Sequence, residues 1–293
     1  MHGPSDAAWA DTVPGMAATR VTIVSDTHLS ASAEEAEANW GAVLRYVGAA
    51  APDVVLHLGD LSLDGAHNPD DLHHARRQLD RLPVAWHAVP GNHDIGDNPS
   101  PGARESAVVD ADRHRRWIDI VGPDHWALST NGWTLLAINA QLFESGLEAE
   151  ARQWSWLEER LGERRDGDRT ALITHKPVAA ADVELAASPP YRFVPPRARR
   201  RLGELLGNQR VTLVISGHVH QHRVLHVDGT DHIWAPTTWA VLPDEVQPRL
   251  GAKRCGVLSL ELDADERARS QLVEPDGIAQ LMLVRDLPSP YRR

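Results

Sequence analysis

The chain holds one cysteine, Cys255, and two phenylalanines among its 293 residues. A lone cysteine excludes an intrachain disulfide framework and leads to the expectation of a reducing, cytoplasmic setting. Basic residues are also short: 30 Lys and Arg stand against 41 Asp and Glu, a formal net charge of −11. That balance argues against a wide nucleic-acid footprint, so no nucleic-acid polymer is expected as a partner. No apolar run approaches the roughly 18 residues that would suggest a membrane span. The first twenty residues lack both a basic leader and an apolar segment, so no secretory signal is read there. Residues 1–19 are expected as a flexible leader, 20–285 as one domain, and 286–293 as a tail; a homo-oligomer is left open.

Histidine, by contrast, is abundant, with 16 in the chain. Its placement follows an α/β pattern. Apolar runs at Val21–Ser25, Asp53–Leu58 and Val84–Val89 alternate with helical stretches at Ala33–Ala49 and Asp70–Leu82, which implies parallel strands with right-handed crossovers. Further strands are expected at Thr134–Asn139, Thr170–Thr174 and Val211–Ser216, and helices at Ala103–Ile120, Glu150–Glu163 and Pro196–Leu206. After Gly217 the texture shortens to Val224–Val227, His232–Ala235, Gly256–Leu262 and Ile278–Val284, and the turns between them suggest a mainly antiparallel second sheet.

Asp26, Asp60, Asn92, His175 and His218 each follow a predicted strand. In an open α/β sheet that edge is where ligands bind, so the five should converge. The segments read Asp26-Thr27-His28, Gly59-Asp60, Gly91-Asn92-His93-Asp94, His175 and Gly217-His218-Val219-His220. Two aspartates, one asparagine and four histidines give seven oxygen or imidazole donors without thiolate, a set suited to Mn, Fe or Zn and sufficient for two ions. Gly59, Gly91 and Gly217 are expected to provide tight turns that aim the next side chain into the cleft.

In this order the motifs D-x-H, G-D, G-N-H-D, H and G-H-x-H resemble the calcineurin-like metallophosphoesterase superfamily, over roughly Val21 to His220. The resemblance implies an α/β fold, a four-layer αββα sandwich of two mixed β-sheets flanked by helices. It implies two divalent or transition metal ions, one held by Asp26, His28 and His220, the other by Asn92, His175 and His218, with Asp60 bridging. His93 would be the catalytic histidine beside the scissile phosphate, and a metal-bridging hydroxide would attack a small phosphoester in line. With that hydroxide and two aspartates the site would carry about +1, attractive to an anion within an acidic protein.

D-x-H at the first motif, and Leu63 where purple acid phosphatases place a tyrosine, argue against that branch. Asp64-Gly65 without an arginine argues against the serine/threonine phosphatases. The motif form most resembles bacterial class III cyclic-nucleotide phosphodiesterases and their glycerophosphodiesterase relatives. The expected activity is therefore phosphodiester hydrolysis, with a 3′,5′-cyclic nucleotide the leading substrate. A phosphomonoesterase or phospholipid-headgroup phosphodiesterase on the same site is the alternative, and a catalytically silent scaffold the distant one.

Asp64 and Asp94 are candidates for carboxylates that orient their neighbours, Asp64 toward His93 in particular, although Asp64-Gly65 reads equally well as a turn. Trp239 and His222 are candidates to meet substrate, His222 with solvent as the favoured reading. His57, His73, His74, His87, His114 and His125 are read as structural or surface residues. Lys176–Pro195 and Pro236–Gly251 are expected to overhang the metals and choose the substrate.

Overall fold

Strands β1 (Thr19–Val24), β2 (Val54–His57) and β3 (Trp86–Ala88) run parallel, joined through helices α1 (Glu34–Ala50) and α2 (Pro69–Leu79). This computed structural model describes residues 18–99, 107–163, 167, 169–181, 184–185, 190–208, 211–263, 268–283 and 286. Local chemistry sets the helix ends. Glu34, Glu35 and Glu37 occupy the first turn of α1, where the helix dipole favours anions. Asn68 caps α2 by accepting from the Asp70 amide at 3.2 Å, and Pro69 takes the first helical position, where no N–H is needed.

After β3 come the single turn α3 (Asn92–Ile95) and α4 (Ala111–Ile120), and the chain then enters a second sheet. Its strands are β4 (Trp126–Thr130), β5 (Trp133–Ile138), β6 (Arg169–Thr174), β7 (Val211–Ser216), β8 (Arg223–Val227) and β9 (Thr230–Trp234), ordered β4-β5-β6-β7-β9-β8. Helices α5 (Glu148–Gly162) and α6 (Pro196–Asn208) connect its parallel centre. β10 (Ala240–Val241) and β13 (Leu281–Met282) form a short parallel pair. β11 (Val257–Leu262) and β12 (Arg269–Val273) return to the first sheet, giving the order β12-β11-β1-β2-β3.

Side-chain alternation explains the layers. Val21, Ile23 and Leu56 of the first sheet meet Leu135, Ile173 and Ile215 of the second in one core. The intervening Val24 and Val55 face the opposite way, onto Trp40, Val47, Leu72 and Trp117 of the helices. Leu136, Ile138 and Leu172 likewise pack on Trp154, Leu157 and Leu202. Both faces of each central strand are covered, which is why these strands read as continuous apolar runs. The result is a four-layer αββα sandwich of two mixed sheets.

Several expectations need correction. The strands after Gly217 do not build a separate antiparallel sheet. β8 and β9 extend the second sheet, where β9 lies parallel to β7, whereas β11 and β12 pair antiparallel on the far side of β1. The change of sheet therefore falls after β3. Helix α4 begins at Ala111, because the Asp110 side chain caps it by accepting from the Arg113 amide at 2.8 Å; residues 103–106 of the longer expected helix lie outside the described residues. Thr19, expected in the leader, belongs to β1; residues 1–17 and 287–293 lie outside the described residues.

Candidate metal centre

The motif residues occupy turns just past strands β1, β2, β3, β6 and β7, all at one edge of the sandwich. The turns after β1 and β2 continue side by side: the Asp26 amide donates to the Gly59 carbonyl at 3.1 Å, and the His28 amide to the Asp60 carbonyl at 3.0 Å. This geometry is strained. Five of the nine non-glycine residues with positive φ among the described residues are motif residues: Asp26 (54°), His28 (47°), Asp60 (53°), His218 (69°) and His220 (52°). Each left-handed residue costs roughly 1–2 kcal/mol, so its concentration here marks the site.

The glycines differ from expectation. Gly59 has φ 102°, as a tight turn requires. Gly91 and Gly217 instead permit close approach. A Cβ on Gly91 would lie 2.1 Å from Asp60 Oδ1, and one on Gly217 would lie 2.0 Å from Ser25 Oγ and 2.9 Å from Asp26 Oδ2.

Two donor clusters result. Asp26, His28, Asp60 and His220 bring one ligand atom each to within 4.8 Å of one another, and so do Asp60, His175 and His218. Asp60 belongs to both. Asn92 completes the second group, with Oδ1 3.3 Å from His175 Nε2. All seven predicted donors are thus brought together, and Asp26, His28, Asp60, His175 and His220 are buried.

The donor chemistry fits cations. His175 Nδ1 donates to the Leu58 carbonyl (2.8 Å), His220 Nδ1 to the Ala240 carbonyl (2.6 Å) and His218 Nε2 to the Tyr191 carbonyl (3.0 Å). Those bonds orient the rings and turn the opposite nitrogens inward. The inward nitrogens then face one another: His175 Nε2 and His218 Nδ1 at 3.1 Å, His28 Nε2 and His220 Nε2 at 3.3 Å. Two imidazole lone pairs at such distances repel unless a proton or a cation lies between them. His28 differs in that its Nδ1 is buried without a partner among the described residues.

Electrostatics agree. Burial favours a neutral Asp60, but His175 and His93 outweigh it and hold the carboxyl well below its usual range. Burial equally opposes charge on His175, yet Asp60, 3.5 Å away, raises it to about 9. His220 is raised against burial by Asp26, whereas burial and neighbouring histidines lower His218 and His28. Each cluster therefore pairs one proton-holding ring with one neutral ring, and a divalent cation would displace that proton.

The neighbours depart from expectation only in part. His93 stays outside both clusters; its amide donates to Asp60 Oδ1 at 2.8 Å and its Nδ1 to the Leu63 carbonyl at 2.6 Å. Asp64 does not orient it: Asp64 is half-exposed and binds His67 Nδ1 at 2.7 Å. Asp94 is the buried organiser, accepting from the amides of Leu61, Ser62 and Gly91 and from Ser62 Oγ. It thereby ties the turn after β2 to the turn after β3. Burial and the Asp60 charge raise its carboxyl to about 6. Trp239, expected to meet substrate, is 5% exposed, packs its ring 4.7 Å from that of His28 and is not among the residues that wall the groove. His222 bonds the Trp234 carbonyl at 3.0 Å and does not line the groove. His114 and His125 bind the buried Asp124 at 2.8 and 2.7 Å, as structural residues do.

Of two further supports, His57 reads in the sequence only as structural or surface and Lys176 is not singled out. His57 is buried and neutral, lowered by burial to about 3; it accepts from the Gly59 amide and bonds Thr27 Oγ1, bracing the Asp26–His28 turn from below. Lys176 is fully buried and reaches Asp97 and Asn98. A lysine directly after His175 was the available signal. Above the donors lies a groove of about 310 Å³, walled by Tyr191 and Arg192 on one loop and by Leu242, Pro243 and Val246 on the other. Both expected loops thus contribute walls.

These observations define a candidate two-cluster metal site on an αββα sandwich, and comparison with known proteins supplies the class. The family model for calcineurin-like phosphoesterases matches residues 19–222, and the chain belongs to that family. A protein of Synechococcus sp. described as a probable cyclic nucleotide phosphodiesterase is 30% identical over 236 residues, covering 78% of this chain and 79% of its own. Among solved structures, a dimetal phosphatase from Danio rerio superposes with TM-score 0.59 at 14% identity, covering 88% of this chain and 96% of that one. A purple acid phosphatase from yellow lupin (Lupinus luteus) gives TM-score 0.60 at 15% identity over 86% of this chain, which spans about half of the lupin chain, 51%. Likeness at these identities concerns the fold. The family makes the chain a hydrolase of phosphoesters.

Proposed function

We propose that the chain is a dinuclear metal-dependent phosphodiesterase, with 3′,5′-cyclic nucleotides as the leading substrate class. The observation that carries the reading is the pair of buried donor clusters sharing Asp60 beneath one groove. In this reading Asp26, His28 and His220 hold one ion, Asn92, His175 and His218 the other, and Asp60 serves both. The Synechococcus relative supports the cyclic-nucleotide choice.

When bound, the two ions would supply charge neutralisation of the phosphoryl group and an activated water. The chain's own residues do the rest. The strained turns hold the donors in place before substrate arrives, so little reorganisation is needed at the moment of reaction. His93 is oriented by its amide, which donates to Asp60 Oδ1, and by Nδ1, which donates to the Leu63 carbonyl, and in this reading its imidazole delivers a proton to the leaving alkoxide. The apolar groove walls at Leu242, Pro243 and Val246 receive the second ester arm and exclude water around it.

Metal analysis of the purified chain, with turnover of bis-(p-nitrophenyl) phosphate, p-nitrophenyl phosphate and cAMP, tests the reading. Two ions per chain and a higher kcat/KM for the diester than for the monoester are expected. A clear monoester preference would sink the diesterase assignment and leave the metal site standing.

A further inference from the structure

Arg192 is 6% exposed and lines the groove. Its predecessor Tyr191 accepts the hydrogen bond from His218 Nε2 at 3.0 Å, so the arginine is anchored next to a donor of the second cluster. Among the described residues the Arg192 guanidinium makes one hydrogen bond, from Nη2 to the Val246 carbonyl at 3.1 Å, and no ion pair. That bond spans from one wall of the groove to the other. Other buried cations are matched with acids: Lys176 meets Asp97, and Lys253 meets Asp244 Oδ1 at 2.7 Å. A guanidinium offers five donors, and burying it against a single carbonyl is costly unless an anion completes its partners.

Charge balance indicates which anion. Two divalent ions with Asp26, Asp60 and a hydroxide leave the site near +1, enough to offset the single charge of a phosphodiester. Asp97 also lines the groove, but Lys176 neutralises it; Asp94, buried behind Asp60 and not among the lining residues, is met by the amides of Leu61, Ser62 and Gly91 and by Ser62 Oγ. Arg192 thus adds one positive charge beyond what a diester requires. A phosphomonoester or orthophosphate carries about one further negative charge near neutral pH.

We infer that Arg192 is the binding residue for the second negative charge of a phosphomonoester dianion, whether that dianion is the product of diester cleavage or a monoester entering as substrate. The inference rests on the phosphoesterase reading and extends it to how the groove distinguishes the two ester classes.

The test compares the full-length, metal-loaded chain with Arg192→Gln, and with Arg192→Met, which keeps the apolar stem should the glutamine variant fail to fold. Measured are metal content, kcat/KM for p-nitrophenyl phosphate and bis-(p-nitrophenyl) phosphate, and inhibition by orthophosphate. Metal content should match the parent. The monoester-to-diester ratio and the affinity for orthophosphate should both fall roughly tenfold to a hundredfold, the range of a lost charge-assisted hydrogen bond, mainly through KM. Equal loss on both esters would make Arg192 a structural strap and overturn the inference, as would unchanged orthophosphate inhibition. If the parent hydrolyses neither ester, the phosphoesterase reading fails on its own account. Calorimetric titration with orthophosphate then still decides the arginine's role, and equal affinity in parent and variant refutes it.

Discussion

Replacing Gly91 by alanine perturbs the shared carboxylate without deleting any donor. The backbone does not oppose the change, since Gly91 has φ −107° and ψ −176°, an extended conformation open to any residue. The added methyl does. It would stand 2.1 Å from Asp60 Oδ1 and 2.4 Å from the Asp60 amide nitrogen, about 1 Å or more inside ordinary contact. Either Asp60 must swing away or the turn from Gly91 to Asp94 must retreat. The first movement removes a donor from both clusters. The second breaks the bond from the His93 amide to Asp60 Oδ1 at 2.8 Å and that from the Gly91 amide to Asp94 Oδ2 at 2.9 Å. Overpacking costs about 1–3 kcal/mol, and each lost bond to a buried carboxylate adds roughly 1.5–3 kcal/mol. With one such bond lost, a total of about 2.5–6 kcal/mol corresponds to a Tm lowered by roughly 4–10 °C in a chain of this size. Thermal denaturation and metal analysis of the same preparations provide the assay. Gly48→Ala is the control: it is exposed within α1 with nothing within 4 Å of an added Cβ, and should gain about 0.5–1 kcal/mol. A Gly91→Ala protein that keeps two ions and the parental Tm would refute the tight apposition of Gly91 and Asp60.

Three further outcomes are expected. His93→Ala should retain metal while kcat falls roughly 10²–10⁴-fold; loss of metal would make His93 a ligand, and undiminished turnover would remove it from the mechanism. In chelated protein the His175 proton stabilises the fold fully below its unfolded value of 6.5, and this stabilisation is lost as pH rises through about 9. The Tm without metal should therefore drop between those limits, by an amount equivalent to about 3 kcal/mol at most, and a flat profile there would contradict a proton held at His175. Shortening Pro236–Gly251 should change the diester-to-monoester ratio more than metal affinity, and the reverse result would make that loop a support of the metals rather than a wall for substrate.

The convergence of the candidate donors was legible in the sequence because their chemistry is local and their spacing is fixed by strand ends. Asp26 and His28 sit two residues apart after one strand, His218 and His220 two apart after another, and only the fold brings them together. Asp94 and His57 were harder to read. Nothing in the tetrapeptide Gly91–Asp94 says that its last residue reaches back to the amides of Leu61 and Ser62. Strand β2 likewise ends in an apolar run that gives no reason for His57 to be a buried support. Such roles depend on contacts between turns distant in the chain. Strand membership was obscured for a related reason. β11 alternates like any half-buried strand, and whether it joins β1 or extends the sheet of β9 depends on which edge remains open after β3, a property of the assembled sheets.

Arg192 illustrates the limit most clearly. In the sequence it is one basic residue of the loop Lys176–Pro195, followed closely by Arg197, Arg199, Arg200 and Arg201 of the helix expected from Pro196. The fold separates it from them: Arg201 reaches Glu158 at 2.6 Å on the half-exposed surface, whereas Arg192 is buried in the groove with a carbonyl for its partner. Sequence composition assigns the charge, but only burial determines its cost. A buried, acid-free guanidinium persists in a marginally stable fold where its contribution to binding outweighs that cost. It follows that Arg192→Met should not lower the Tm of the chain in phosphate-free buffer, while the Tm increase on adding orthophosphate, which reports binding to the folded state, should shrink. A variant that loses Tm without phosphate and keeps the full phosphate-induced increase would show that the arginine serves the fold instead of the ligand.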